Sequence, residues 1–166
     1  MLRPLAEWLA ETPLSKTLSE QAWVVPTSQS IHILAVAAVF ASALMINLRL
    51  LGVGAKGRRV SELSDTLIPW MWRGLAVLLL TGTIQTLAEP VRQFVTPAFW
   101  AKMTMIVVVT AMTILFVRAL RRNSPLWDDG SSRPPQAKIF AVVSTLMWLA
   151  IIVCGRFIAY TWASYA

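Results

Sequence analysis

The sequence predicts an all-α polytopic membrane protein: an antiparallel four-transmembrane-helix bundle with an N-terminal interfacial helix. Three observations carry that reading. Of the 166 residues, 57% are hydrophobic and only 14% are charged, whereas a soluble domain carries about 25% charged residues; the mean hydropathy is +0.63. The apolar residues gather into four stretches of roughly 20 residues, the length an α-helix needs to cross a hydrocarbon core of ~30 Å. Between them stand clusters of Gly, Pro, Asn, Asp and Arg that stop helices. The remainder is one N-terminal segment and three short loops, too little for a second folded domain.

Residues 1–27 mix Leu, Trp and Ala with Glu and Lys and lack the continuous apolar core of a secretory signal. Leu5, Trp8 and Leu9 recur at i, i+3, i+4, one helical face, so the segment reads as an amphipathic helix on the membrane surface. Pro13 and Pro26 bound a second short turn. The transmembrane domain follows over 28–166. Its first span covers about 28–51 and ends at LGVGAKGRR, where three glycines and three cations supply a polar loop. The second covers about 67–88, with Pro69 in its first turn, where proline is tolerated, and Pro90 after its end. The third covers about 97–120, opening on Pro97. NSPLWDDGSSRPPQ reads as a loop, and the fourth span covers about 138–162.

Counting cations orients the bundle. Arg49, Lys56, Arg58 and Arg59 follow the first span, and Arg118, Arg121, Arg122, Arg133 and Lys138 follow the third; Arg3, Lys16 and Arg92 lie on the other side. The positive-inside rule then puts both termini outside and the basic loops in the cytoplasm. Trp23, Trp100, Trp162 and Tyr165 fall at the expected outer interface, and Trp70, Trp72 and Trp127 near the inner one. The same placement accounts for the net charge of +7: the cations flank apolar spans and serve topology, so the partner is the lipid bilayer and not nucleic acid.

Soluble-enzyme signatures are missing. The chain has no G-x-x-x-x-G-K-[ST], H-E-x-x-H or C-x-x-C. With one His and one Cys, both inside spans, neither a disulfide nor an ordinary metal hydrolase can be built. Whether the chain is an enzyme stays open.

Ionisable groups inside a span are expensive, and their positions map function. They are His32, Arg73, Lys102 and Arg156, with Gln85 and Glu89 as polar neighbours. The antiparallel topology puts His32, Gln85, Glu89, Lys102 and Arg156 at one level in the outer leaflet, with Tyr160 one turn beyond Arg156. His32, Gln85, Lys102 and Arg156 are therefore expected to face one another. Glu89 is also a candidate to bridge to Arg156, and Arg73, beside Trp70 and Trp72, to snorkel or touch lipid phosphate.

Below His32, at helical spacing, lie Ala35, Val36, Val39, Ser42 and Ala43, a small-residue face that suits either close helix packing or a flat ligand. Imidazole is a good axial ligand, cations at its level can neutralise propionates, and bundle cores are common haem sites. This makes haem b the expected cofactor, bound by His32 as metal ligand with Lys102, Arg156, Gln85 and Tyr160 around it. A sixth ligand would come from Lys102, Met103, Met105, water or another chain; alternatively the iron is five-coordinate.

The strings SIHILAVAAVFASALMINLRLLG, TPAFWAKM and GRFIAY resemble the hallmarks of an uncharacterised bacterial family of four-helix membrane proteins of unknown function, over nearly the whole chain. More distantly, His32 followed by the Arg49–Leu50 pair is similar to the first helix of the haem-b-containing membrane protoporphyrinogen oxidases and of copper-resistance D type proteins. WAKM is similar to the oxidase segment that carries an essential Lys. That resemblance implies haem binding at His32 and Lys102; the chain ends in GRFIAY where the oxidases carry an Arg-Phe-Asn-Glu type motif.

The expected function is membrane electron transfer through haem b, with quinone as a candidate partner. The alternatives are an accessory or assembly subunit of a larger membrane complex or homo-oligomer, and transport of copper or a small solute. Against copper, Met71, Met103, Met105, Met112 and Met147 show no paired Met-x-x-x-Met spacing of soft ligands.

Overall fold

The computed structural model describes residues 3–54, 57–129 and 134–161; Lys56, Arg133, Trp162 and Tyr165, to which the sequence assigned roles, lie outside them. Eight helices and no strands occur among the described residues, and four of the helices are long and apolar enough to cross a membrane. The chain is a multi-pass membrane protein.

Two short helices, α1 (Arg3–Ala10) and α2 (Pro13–Glu20), come first. Thr12 separates them: its hydroxyl donates to the Leu9 carbonyl at 2.7 Å and accepts from the Ser15 N–H at 3.3 Å, stopping one helix and capping the next. Ala6 is fully buried, whereas Leu5 and Trp8 are 52% and 64% exposed. Leu5 and Trp8 of α1 thus point away from the protein while Ala6 packs against it.

The four long helices are α3 (Val24–Leu50), α4 (Val60–Ala88), α6 (Pro97–Arg122) and α8 (Pro135–Thr161); α5 (Pro90–Val95) and α7 (Ser124–Asp128) lie in the connections. Three expectations are corrected. Pro26 does not end the N-terminal segment but sits in the first turn of α3, where a missing N–H costs no helical hydrogen bond. Pro69 is not in the first turn of its span, because α4 begins at Val60 and Pro69 lies inside the helix. That early start has a tertiary cause: the Asp128 carboxylate accepts from the Ser61 N–H at 2.9 Å and from its hydroxyl at 2.6 Å, tying the first turn of α4 to α7. The stretch after Arg122 is likewise not all loop, since Pro125 sits in the first turn of α7.

Helix α3 ends as its glycines predict. Gly52 takes φ +79°, the Val53 N–H reaches the Leu48 carbonyl at 3.0 Å and the Gly52 N–H reaches Arg49 at 3.1 Å, a Schellman closure that only a residue at ease in the left-handed region completes cheaply.

Helices α3 and α4 pack tightly, α3 also packs on α8, and α8 on α6, while α4 and α6 barely meet. The bundle is therefore a ring in the order α4, α3, α8, α6 with one loose seam. The tight α3–α4 contact centres on Gly74, where a Cβ would stand 2.4 Å from Val39 Cγ2; Val39 has no exposed surface. The small-residue face at Ala35 and Val39 is thus filled by a neighbouring helix, which decides between the two uses left open for it. Between α3 and α8, Asn47 is buried and donates to the Thr145 hydroxyl at 3.0 Å and to Ser144 at 3.3 Å. At the end opposite the basic loops, α1 packs on α5 and α2 on α4. Phe94, Phe99 and Trp100 form an aromatic knot at this α5 corner.

Candidate functional site

Site geometry starts at His32, eight positions into α3 on its inward stripe. The ring Nδ1 lies 2.7 Å from the Thr81 hydroxyl on α4. The Thr81 hydroxyl also lies 2.7 Å from the Val77 carbonyl, to which it donates. One hydroxyl hydrogen cannot serve both, so with Thr81 donating to Val77 the ring donates to Thr81 through Nδ1. Ser28, one turn earlier, donates to the Thr81 carbonyl at 3.2 Å and fixes the register of the two helices beside the ring.

Two glycines flank the imidazole's surroundings. A Cβ on Gly82 would meet only His32 Cε1, at 3.6 Å, and a Cβ on Gly155 only Lys102 Nζ, at 3.8 Å. Beyond those single contacts the space beside both glycines is open. Two helix pairs thus meet around these groups: His32 of α3 lies against Thr81 and Gly82 of α4, and Lys102 of α6 against Gly155 of α8.

The expected residues divide at this point. His32 lies against Thr81 and Gly82, and Lys102 against Gly155. Gln85 lies one turn from Thr81 and Gly82 on the same face of α4, and its amide nitrogen is buried with no hydrogen-bond partner among the described residues. Arg156 and Tyr160 are not brought in. They pair with each other on the exposed face of α8, the guanidinium donating to the Tyr160 hydroxyl at 2.9 Å and lying 5.0 Å over its ring, with Tyr160 68% exposed. The step of about 100° per residue that puts Gly155 inward turns Arg156 outward. Glu89 does not reach Arg156 either; it pairs with Arg92 at 2.7 Å across the start of α5. Arg73 lies over Trp70 at 5.1 Å.

Thr81, Gly82 and Gly155 were missed by sequence reasoning because none is costly in a membrane alone. The available signal was a glycine inside an apolar run at the depth of His32 and Lys102. Among the described residues no three His, Cys, Asp or Glu side chains converge on a metal ion, and Met71 is buried in the apolar core with Met105 and Met147 packed against it.

No curated protein and no solved structure matches the chain. A model described as a family of unknown function (DUF6644) matches residues 8–161. That span takes in α2 to α8 and every residue of the site, and the chain belongs to this family.

Proposed function

We propose that the His32 locus is a haem b site and that the protein is a bacterial inner-membrane electron-transfer component, with both termini outside. The observation that carries this reading is the His32–Thr81–Val77 relay. Metal-ligating histidines donate their second ring N–H to a fixed acceptor that sets the tautomer and ring angle, and His32 does this through Nδ1 while Nε2 stays available. The donor set fits the group: one neutral imidazole, a lysine at the same level to meet a propionate or the sixth position, and open space beside Gly82 and Gly155. Bound haem supplies one-electron chemistry, and quinone in the bilayer is the natural exchange partner for a site at this depth. The chain's own work is to hold His32 in one tautomer, to present the Lys102 charge, and to exclude water with the α3–α4 contact.

The test is a reduced-minus-oxidised visible spectrum of the detergent-purified protein from haem-replete cells. A Soret band with an α-band is expected in the wild type. His32→Ala loses both, Lys102→Ala shifts them, and Thr81→Val, which removes the acceptor for Nδ1, shifts the reduction potential while Thr81→Ser does not. A colourless wild type overturns the proposal.

A second reading is favoured by Arg156 and Tyr160. A guanidinium exposed in a span, with no acid beside it among the described residues, suits an interface with another membrane subunit or a second copy. It predicts co-purification of a partner that Arg156→Leu releases.

A further inference from the structure

The loose seam between α4 and α6 opens, at the basic end, into a groove of about 520 Å³. It is remote from the His32 locus, and nothing above uses it. Its polar end carries Ser61, Ser64, Asp65, Arg121 and Ser124, and its apolar end Ile68, Pro69, Trp72, Val117 and Leu120. The change from polar to apolar follows the direction in which α4 and α6 enter the bilayer, so the groove has the polarity of an amphiphile lying along it.

Four features define what would bind. Asp65 and Arg121 line the same groove without forming an ion pair, so an anion and a cation face it separately. Ser64 is 2% exposed and its hydroxyl has no partner among the described residues, an orphan donor in the wall. Pro69 has no N–H to give the Asp65 carbonyl, which adds acceptor capacity at the same level. The mouth is rigid, because Asp128 of α7 holds Ser61 through both its N–H and its hydroxyl.

An occupant needs a phosphate for Arg121 and Ser64, a hydrogen-bonding cation for Asp65, and acyl chains for the seam between Ile68 and Val117. A purely anionic lipid would bring its charge against Asp65 with nothing to offset it. A choline headgroup offers no N–H to a carboxylate, whereas a primary ammonium offers three. We propose that this groove is a binding site for an ethanolamine phospholipid, with its phosphate on Arg121 and Ser64 and its ammonium on Asp65, so that the lipid fills the seam the helices leave open.

The experiment is native mass spectrometry of the full chain released from detergent after delipidation and exposure to an equimolar mixture of phosphatidylethanolamine, phosphatidylglycerol and phosphatidylcholine. The wild type is expected to retain one phosphatidylethanolamine in preference to the others. Arg121→Gln lowers retention of every phospholipid about tenfold, the scale of one charge-assisted contact. Asp65→Asn keeps a phospholipid but loses the preference for ethanolamine. Arg118→Gln, one turn away and outside the groove, leaves retention unchanged and controls for folding and for loss of charge. Equal retention of all three lipids by the wild type overturns the proposal, as does equal loss from Arg118→Gln and Arg121→Gln. Displacement by glycerophosphoethanolamine, which has the headgroup without chains, also overturns it, since the groove would then be an aqueous phosphate site.

Discussion

Gly74 is where the bundle is least forgiving, and Gly74→Ala tests the whole account of the α3–α4 pair. The added Cβ would stand 2.4 Å from Val39 Cγ2, whereas carbon atoms rest at about 3.5–4.0 Å. Val39 is fully buried and cannot swing aside, so the helices must part by roughly 1.1 Å or the side chains must leave their rotamers, at a cost of about 1–3 kcal/mol. Gly82→Ala is the matched control: its Cβ meets His32 Cε1 at 3.6 Å, an ordinary contact, and the expected change is within about 0.5 kcal/mol. The assay is SDS-driven unfolding in mixed micelles followed by far-ultraviolet circular dichroism. Adding Val39→Ala to Gly74→Ala frees the space and should restore most of the loss, a coupling of about 1 kcal/mol or more. The perturbation also reaches the site. His32 lies two turns from Val39 on the same face, and its 2.7 Å bond to Thr81 does not survive a parting much beyond 0.8 Å, if ~3.5 Å is the limit of a useful hydrogen bond. If Gly74→Ala unfolds no earlier than Gly82→Ala, close packing does not hold α3 to α4 and the reasoning fails.

Three further outcomes follow from particular contacts. Asn47→Leu keeps the volume but removes the bonds to Ser144 and Thr145, and at about 0.6 kcal/mol for a hydrogen bond between membrane helices the same unfolding assay should register a loss near 1 kcal/mol. Gly52→Ala forces a Cβ into φ +79° with nothing else in its way, so its cost, about 1–2 kcal/mol, is purely conformational and Gly52→Asn should recover part of it. In a Cys154→Ser background, an impermeant maleimide applied to intact cells should label a cysteine at Ser19 and not one at Arg58; the reverse pattern inverts the proposed orientation.

Depth was legible in the sequence, and azimuth only partly so. Counting residues from each helix end put His32, Lys102 and Arg156 at one level, and the structure turns His32 to Thr81 and Lys102 to Gly155. Arg156 fails because level says nothing about direction: its neighbour Gly155 faces Lys102, and one residue of rotation carries the guanidinium to the outer face with Tyr160. The small-residue face of α3 posed the same kind of problem. Ala35 and Val39 suit a ligand or a helix equally well, and what decides is Gly74, 35 positions further along the chain than Val39. The start of α4 was misjudged for a related reason. An apolar run shows where a helix becomes membrane-like, at Leu67, but the helix begins where its first N–H groups find acceptors, and one of those is Asp128, on another segment altogether.

Hydrocarbon offers no water to an unmet polar group, so the membrane itself sorts structural from functional side chains. Most hydroxyls here are settled locally: Ser42, Thr83, Thr86, Thr113 and Thr145 each donate to the carbonyl four residues back at 2.7–2.8 Å. Thr81 does the same and in addition accepts from His32, which is what turns an ordinary helical threonine into a positioning residue. Gln85 is not settled in this way: its buried amide nitrogen has no acceptor among the described residues, a state it shares with the Ser64 hydroxyl and the Trp148 indole. An unmet buried donor costs about 1–3 kcal/mol, whereas an apolar residue of similar shape costs nothing. Gln85→Leu should therefore raise the unfolding resistance of the ligand-free protein by about 1 kcal/mol while weakening retention of the haem proposed to sit beside His32. If the ligand-free variant is instead destabilised, the amide has a structural partner and its place at the site falls, whatever the fate of His32.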